Sequence, residues 1–349
     1  MSPLEECARR LNHPEETERI YAAEDMGYLN TADAVSLLLQ QLAEESSRTV
    51  RDSIFQALAR IDADSAIAGA IGLLTNDDPQ IRNGAVDVLR RKNVQAVPFL
   101  DQLMRDGNKN TRKLVLDVLL GIRADAASEI YTAALTDKDL NIVITAVENL
   151  GKMRAVEFRH QIENLLQADT NPMLMAVCME ALAGAGDNLS LVAVRRCFLE
   201  LATAPDFLLV PCLKAFAALG LEKEYWETAH LLSVRAPHCQ PAILEALIAI
   251  YPRCKVPDPG SSLLTVITAI IETGGSPQCR YRAVRLMGLW PSSKDVNALI
   301  ITCLSNPERL VRLAAVESLR LARTNGCEAA LAQCAQMETD EEILEALTC

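Results

Sequence analysis

The sequence predicts an all-α fold: an α-solenoid, or superhelix, of about ten to eleven stacked helical hairpins. Three observations predict it. A short phrase returns about every 32 residues along the 349-residue chain. Half of the residues are apolar, aromatics make up only 4%, and Ala and Leu dominate. Runs of β-branched and aromatic residues with a period of two are missing, so no sheet is expected. A repeat of this length marks helix pairs that bury their apolar faces only by stacking on their neighbours. Ala and Leu are strong helix formers and fill the contacts between close helices.

Each hairpin should break between its two helices at a short polar turn. The breaks fall near Pro14, Ser47, Pro79, Asn108, Asp139, Pro172, Pro205, Pro237, Pro277, Pro307 and Asp340. Proline costs little in the first turn of a helix, where its missing N–H would have no partner anyway. Asn or Asp just before it can cap that helix. The helices that follow carry apolar residues on one stripe, as in Ile81, Ala85, Val88 and Leu89, or Val311, Ala315, Val316 and Leu319. Gly27, Gly151, Gly220 and Gly288 are expected to stop helices at their C-terminal ends.

Between Pro237 and Pro277 the spacing lengthens to about 40. The run Tyr251-Pro252-Arg253-Cys254-Lys255-Val256-Pro257-Asp258-Pro259-Gly260 is expected to form a longer loop, because its prolines and glycine should not continue a helix. A single continuous array is expected over 1–349. Regular repeats fill 1–160, divergent apolar repeats fill 161–260, and regular repeats with an acidic C-terminal cap fill 261–349. The first helix, in 1–11, and the last, in 338–349, are polar on one face, as the open ends of a solenoid require.

Composition narrows the function. The net charge is −12, which argues against non-specific nucleic-acid binding, since that needs Lys and Arg to displace counterions. The opening Met1-Ser2-Pro3-Leu4-Glu5-Glu6-Cys7 lacks the basic and apolar regions of a signal peptide. The most apolar stretch, Phe207 to Leu221, is interrupted by Pro211 and Lys214, and no run reaches membrane-spanning length. A soluble, cytoplasmic protein is expected. Eleven cysteines include no Cys-x-x-Cys pair and sit mostly among apolar helical neighbours, which predicts buried free thiols.

The clearest copies of the phrase are Asp78-Pro79-Gln80-Ile81-Arg82-Asn83-Gly84-Ala85-Val86 and Asn306-Pro307-Glu308-Arg309-Leu310-Val311-Arg312-Leu313-Ala314-Ala315-Val316. The pattern Asp-x-Pro-x-Ile/Val-Arg-x-x-Ala-Val-x-x-Leu resembles the short HEAT repeat, in particular the HEAT-like repeat named after phycobilisome bilin lyases. Arg51, Arg82, Arg112 and Arg312 take that family's arginine position, and Asp77 or Asp78 and Asp137 its aspartate position. The resemblance covers essentially the whole chain and is weak only from about 170 to 260. It implies that each arginine is a structural rung, bonded to acidic groups in its own and the next repeat. It leaves function open, because HEAT-like arrays include scaffolds, chaperones, lyases, hydroxylases and base-excision enzymes.

Candidate chemistry is sparse. The deoxyhypusine hydroxylases, which are similar in architecture, use His-Glu pairs, but His13, His160, His230 and His238 are followed by Pro, Gln, Leu and Cys. A thiolate site from Cys197, Cys212 and Cys239 has no ligand-spacing motif. His238-Cys239, near a helix start, is one favourable factor without a mechanism. Gly274-Gly275 lacks the Lys and Ser/Thr of a nucleotide loop. No catalytic residue, metal ligand or cofactor is therefore assigned.

Charge and apolarity are segregated. The block 80–125 is basic, with Arg90, Arg91, Lys109, Arg112 and Lys113, and so is 252–325, with Arg280, Arg282, Arg285, Arg309, Arg312, Arg320 and Arg323. Mixed charge on exposed helix faces is the simple reading; steering of an acidic partner is the other. Nucleic acid is not expected, because aromatics that stack on bases are not interleaved with the cations. In the middle, Met173, Met175, Met179, Phe207 and Leu208 cannot all face one seam. Some belong to the core, and the remainder could form a groove for a partner helix. The expected function is a non-catalytic protein-binding scaffold or adaptor. Its concave surface would hold a protein with an acidic or helical binding segment, and no nucleic acid or membrane. A cofactor-handling protein, bilin lyase-like or a metal-cluster chaperone, is the alternative.

Overall fold

A computed structural model describes residues 2–123, 125–273, 275–322 and 324–348, apart from the side chain of Asn325. Gly274, Arg323 and Cys349, which figure in the sequence reading, lie outside the described residues. Every regular element among the described residues is helical. The helices pair into eleven hairpins among the described residues, and the chain divides into two compact units, Met1–Glu157 and Phe158–Cys349.

The first unit holds five hairpins: α1 (Pro3–Leu11) with α2 (Glu16–Leu29), α3 (Ala32–Glu44) with α4 (Arg48–Arg60), α5 (Asp64–Leu73) with α6 (Pro79–Lys92), α7 (Val97–Asp106) with α8 (Lys109–Leu119), and α9 (Ser128–Leu135) with α10 (Leu140–Met153). Each break expected from the sequence falls just before a second helix, and the reason is local. The side chains of Ser47, Asp78, Asn108 and Asp139 accept hydrogen bonds from backbone N–H groups in the first turns of α4, α6, α8 and α10. At the start of the chain, Ser2 and Glu5 form a reciprocal capping box.

The second unit holds six hairpins: α11 (Arg159–Ala168) with α12 (Pro172–Ala185), α13 (Ser190–Arg196) with α14 (Asp206–Leu219), α15 (Glu222–Val234) with α16 (Gln240–Cys254), α17 (Gly260–Thr273) with α18 (Pro277–Met287), α19 (Lys294–Cys303) with α20 (Arg309–Ala322), and α21 (Asn325–Met337) with α22 (Glu341–Thr348). Asn171 and Ser276 cap α12 and α18, and Pro172 and Pro277 stand in their first turns.

Two layers result in each unit. Second helices pack on second helices, α2 on α4, α4 on α6, α6 on α8 and α8 on α10, then α12 on α14, α14 on α16, α16 on α18 and α18 on α20. First helices form the other layer, as in α3 on α5, α7 on α9 and α11 on α13. A second helix therefore meets its own partner and a neighbour on each side. Six residues of α4 are buried, and α12 buries Leu174, Val177, Cys178, Met179, Ala181, Leu182 and Ala185. Three sides of α12 and α14 are apolar because they are buried, as in the other second helices, and exposed Met173, Phe207 and Val210 add apolar residues on the fourth, so neither helix is striped.

Several expectations are corrected. Gly220 and Gly288 do follow helix ends, but Gly27 and Gly151 lie inside α2 and α10. A Cβ on Gly27 would stand 3.0 Å from Ala57 Cα, so this glycine lets α2 and α4 approach closely. Asn30 and Arg154 end those two helices instead, with φ of 54° each. Pro211 does not break the apolar stretch but lies within α14, and α16 runs through Pro252 to Cys254. Packing of the flanking apolar residues on adjacent helices offsets the one backbone hydrogen bond each proline removes. The expected long loop shrinks to the residues between Lys255 and Pro259, where buried Val256 accepts a hydrogen bond from Trp290 Nε1 at 2.8 Å.

Candidate protein-binding surface

The arginine rungs come first, because they decide which charges are free. Arg51 pairs with Asp78 at 2.8 Å and donates to the Glu45 carbonyl at 2.6 Å. Arg112 pairs with Asp137 at 2.6 Å and donates to the Gly107 carbonyl. Arg312 pairs with Glu338 at 2.7 Å and donates to the carbonyls of Asn306 and Pro307. Arg82 donates to the carbonyls of Asn76 and Asp77. Each side chain thus ties its own turn, and most reach the carboxylate of the next hairpin. Arg19 does the same with Glu45 at 2.9 Å and with the carbonyls of His13 and Pro14, although its flanking residues depart from the repeat phrase. Burial raises the Glu45 carboxyl, but bonds from Arg19, the Ser47 N–H and Gln41 outweigh it and bring the pKa down to about 2.

The other basic candidates also meet carboxylates of neighbouring hairpins. Lys109 pairs with Asp139 at 2.8 Å, Arg282 with Glu245 at 3.2 Å, and Arg285 with Glu317 at 3.0 Å. Arg280 pairs with Glu308, and Arg309 with Asp340 at 2.6 Å and with Glu342. Arg90 donates to the Asp117 carbonyl at 2.8 Å. Among the described residues, Arg91, Lys113 and Arg320 are the basic candidates that are exposed without an ion pair, and Arg320 donates to the Ala346 carbonyl. A cation already facing a carboxylate adds little field beyond its own pair. Arg112 is, in addition, buried.

The apolar candidates separate cleanly. Met179 and Leu208 are buried in the contacts of α12 and α14, and Met175 is half-buried. These belong to the packing of the stack. Phe207 is 56% exposed. It stands at the second residue of α14, and Met173, also exposed, stands at the second residue of the packed neighbour α12. One turn further on, Val210 of α14 is exposed beside the half-buried Ala176 of α12. The next turn is polar, with Lys214 and Glu180 paired at 2.6 Å.

The same positions in the first unit are mostly polar, the exceptions being the half-buried fifth residues Ile20 of α2 and Ile144 of α10. The second residues of α4, α6, α8 and α10 are Thr49, Gln80, Asn110 and Asn141, and the fifth residues of α4, α6 and α8 are Asp52, Asn83 and Lys113. The outward face of the second-helix layer therefore turns apolar at α12 and α14. Val210 was not singled out by the sequence alone, whereas Met173 stood among the residues divided between core and groove. Counting from the first residue of each second helix, instead of from the proline, would have aligned them.

On the first-helix side the repeat departs from its pattern. Helix α13 ends after seven residues, and a non-helical stretch with a 3-10 turn at Leu201–Thr203 leads to α14. A cleft of about 500 Å³ remains beside α13 and α15, lined by Arg195, Phe198, Leu199, Phe216, Glu227 and His230 among others. The Arg195 guanidinium lies 5.4 Å from the centre of the Phe216 ring and pairs with Glu227 at 2.9 Å and with buried Glu224. Burial raises the Glu224 carboxyl, but the Leu221 N–H and Arg195 outweigh it and hold it below its usual range. The Leu199 side chain is entirely exposed.

The cysteines bear on chemistry. All ten described thiols are free, and eight of them are buried. Burial pushes Cys178 up to about 12 and Cys197 to about 11, and raises Cys212 as well. Cys239, grouped from the sequence with Cys197 and Cys212, is placed instead beside Asp206 and His238.

This architecture is that of an α-solenoid. Residues 3–90 match the family described as HEAT repeats. Among solved structures, the chain is similar to importin beta, at 11% identity and a TM-score of 0.62, over 99% of this chain and 51% of that one. It is also similar to the karyopherin Kap121p bound to the extreme C-terminus of the protein phosphatase Cdc14p, at 11% identity and a TM-score of 0.56, over 99% and 45%. The complex of Kap121p with Nup53p aligns at 11% identity and 0.55, over 99% and 44%. The chain thus spans about half the length of the karyopherins it matches, and the likeness is one of fold. No curated protein matches it. Among the described residues, no helix is long and apolar enough to cross a membrane.

Proposed function

We propose that the protein is a non-catalytic scaffold or adaptor that holds a partner protein on the outward face of its second helices. The observation that carries this reading is the switch of equivalent surface positions from polar in α4, α6 and α8 to Met173, Phe207 and Val210 in α12 and α14. Apolar side chains kept on the surface cost solubility and are retained where another surface covers them. A short amphipathic helix would seat its apolar stripe there, and its polar flank would reach Glu180 and Lys214. The karyopherin structures, in which Kap121p is bound to Cdc14p or Nup53p, agree with use of this fold to hold protein segments.

The basic candidates play a lesser part in this reading. Arg91 and Lys113 offer unpaired charge to an acidic segment, whereas Arg280, Arg282, Arg285, Arg309 and Arg312 first serve the stack. A reducing compartment such as the cytoplasm suits ten free thiols. Capture of partners from native cells by the full chain tests the proposal. A partner retained by the wild type should be lost with Phe207→Asp plus Val210→Asp and kept with Arg280→Glu. Recovery unchanged by the double substitution would sink it.

A bilin lyase-like or metal-cluster chaperone role would draw on Cys178, Cys197 and Cys212. Burial of Cys178 and Cys212, and partial burial of Cys197, raises these thiols and disfavours the thiolate that such a role needs. The scaffold is the reading that the geometry supports better.

A further inference from the structure

At the start of the second helices of two successive hairpins, three different donor groups converge. Asp206 is the first residue of α14, while His238 and Cys239 lie in the 3-10 turn Pro237–Cys239 that leads into α16. His238 Nε2 is 2.6 Å from Asp206 Oδ2, and Cys239 Sγ is 3.5 Å from Asp206 Oδ1. All three donor atoms lie within 4.8 Å of one another. Cys239 is buried, whereas Asp206 and His238 are exposed, so the cluster has a closed floor and an open side.

We infer that Asp206, His238 and Cys239 form a binding site for a divalent cation of the zinc class, with its fourth position left to water. The donor set selects that class. Thiolate and imidazole together suit zinc, and they discriminate against magnesium and calcium, which take oxygen ligands. Three protein ligands plus water is the arrangement of an open zinc site. The hydrogen-bonded contact between His238 and Asp206 is shorter than two ligands around one ion would be, so the exposed imidazole must swing outward slightly. The ion then takes the place of the proton they share. On binding, the Cys239 S–H bond breaks, its proton goes to solvent, and the sulfur lone pair bonds to the ion. The proton between His238 Nε2 and Asp206 leaves Nε2 through solvent, the neutral ring keeps one proton on Nδ1, and the freed Nε2 lone pair bonds to the ion. One thiolate and one carboxylate then balance the two charges of the ion.

Arg235 lines the inner side of the cluster, where it bonds both Asp206 and Cys239. Its guanidinium pairs with Asp206 and donates to the carbonyls of Ala202 and Ala204 at 2.7 and 2.8 Å. It thereby fixes the orientation of Asp206 and leaves Oδ2 facing His238, the role of an outer-shell partner. Asp206 directly precedes Phe207 in α14, but none of the three donors is one of the apolar partner-binding side chains, and ion binding is read without a partner, so the two proposals fail separately.

Anaerobic titration of the full-length protein with cobalt(II), a visible probe for zinc sites, tests the inference. The expected result is one ion per chain, with tetrahedral d–d bands and a near-ultraviolet thiolate-to-cobalt band, all displaced by zinc. Cys239→Ser should abolish the thiolate band. His238→Gln, at an exposed position that leaves the fold intact, should weaken binding more than about 100-fold, beyond the loss typical of an outer-shell change. Arg235→Lys should weaken it by about 10-fold. Absence of the thiolate band in the wild type overturns the site, and so does its persistence in Cys239→Ser, which would move the ion to other cysteines.

Discussion

The five hairpins of the first unit and the stretch α12–α15 of the second are built from the same unit but use it differently. In the first, a side chain such as Arg51 or Arg112 spans from its own turn to the next hairpin, and the outward positions of α4, α6 and α8 are polar. In α12–α15 no capping Asp-Pro phrase is kept at Pro205 or Pro237, α13 is short, and Met173, Phe207, Val210 and Leu199 remain uncovered. The carboxylate that caps or pairs elsewhere, Asp206, is drawn into a cluster with Arg235, His238 and Cys239. Charge is spent on joining hairpins where the repeat is regular, and surface is released for contacts where it is not.

The largest effect should come from breaking a rung. Arg112→Ala leaves Asp137 buried without its counter-charge, and the loss is about 3–5 kcal/mol. Denaturant unfolding of the full chain, with hydrogen exchange read on α7–α10, would show it. Protection there equal to that of the wild type would mean that the rungs do not hold the regular hairpins together. Arg195→Ala, by contrast, affects α13–α15 alone.

Acid should act on the same rungs. The carboxyl of Glu45 has its pKa lowered to about 2, so its folded value lies below its unfolded one. Its contribution, about 3 kcal/mol, is complete above pH about 4.5 and is lost as the pH falls toward 2. Glu338 behaves alike: the bond from Arg312 outweighs burial and brings it down to about 2. The unfolding midpoint should fall steadily over that window, and Arg19→Met should flatten part of the slope. A midpoint indifferent to pH between 4.5 and 3 would contradict the rung picture.

On the other side of the comparison, Phe207→Asp with Val210→Asp should weaken partner binding by about 2 kcal/mol, roughly 30-fold. Thermal stability should change little, because both side chains face solvent. Calorimetry against a captured partner separates the two effects. Smallest of all, Leu199→Ser should alter stability by less than about 0.5 kcal/mol. A large loss of melting temperature would show that the cleft beside α13 closes over Leu199 in solution.

Much of the fold was legible because its signals are local. A cap such as Asp78 or Asn171 needs only the next few residues to start a helix, so the capped second helices could be read in order, while α14 and α16, which lack a side-chain cap, were legible only from the nearby Pro205 and Pro237. Glycine and proline were read less well. Gly27 and Gly220 look alike in sequence, yet one serves a contact with Ala57 and the other a helix end. Pro211 and Pro252 are tolerated inside helices for reasons that lie in neighbouring hairpins. The site was less legible still. Phe207 and Leu208 are adjacent and equally apolar, but they point to solvent and core respectively. Which is which depends on the helix register and on the neighbours of α14.

By itself, then, the sequence determined the helical hairpin, its period, its caps and the place where its pattern weakens, since propensity and capping act within one turn or two. The tertiary structure alone decided which cations are already paired, which apolar residues stay uncovered, and that Asp206 meets His238 and Cys239 across some thirty positions of chain. Those outcomes depend on stacking one hairpin on the next, and the chemistry of a single repeat does not contain them.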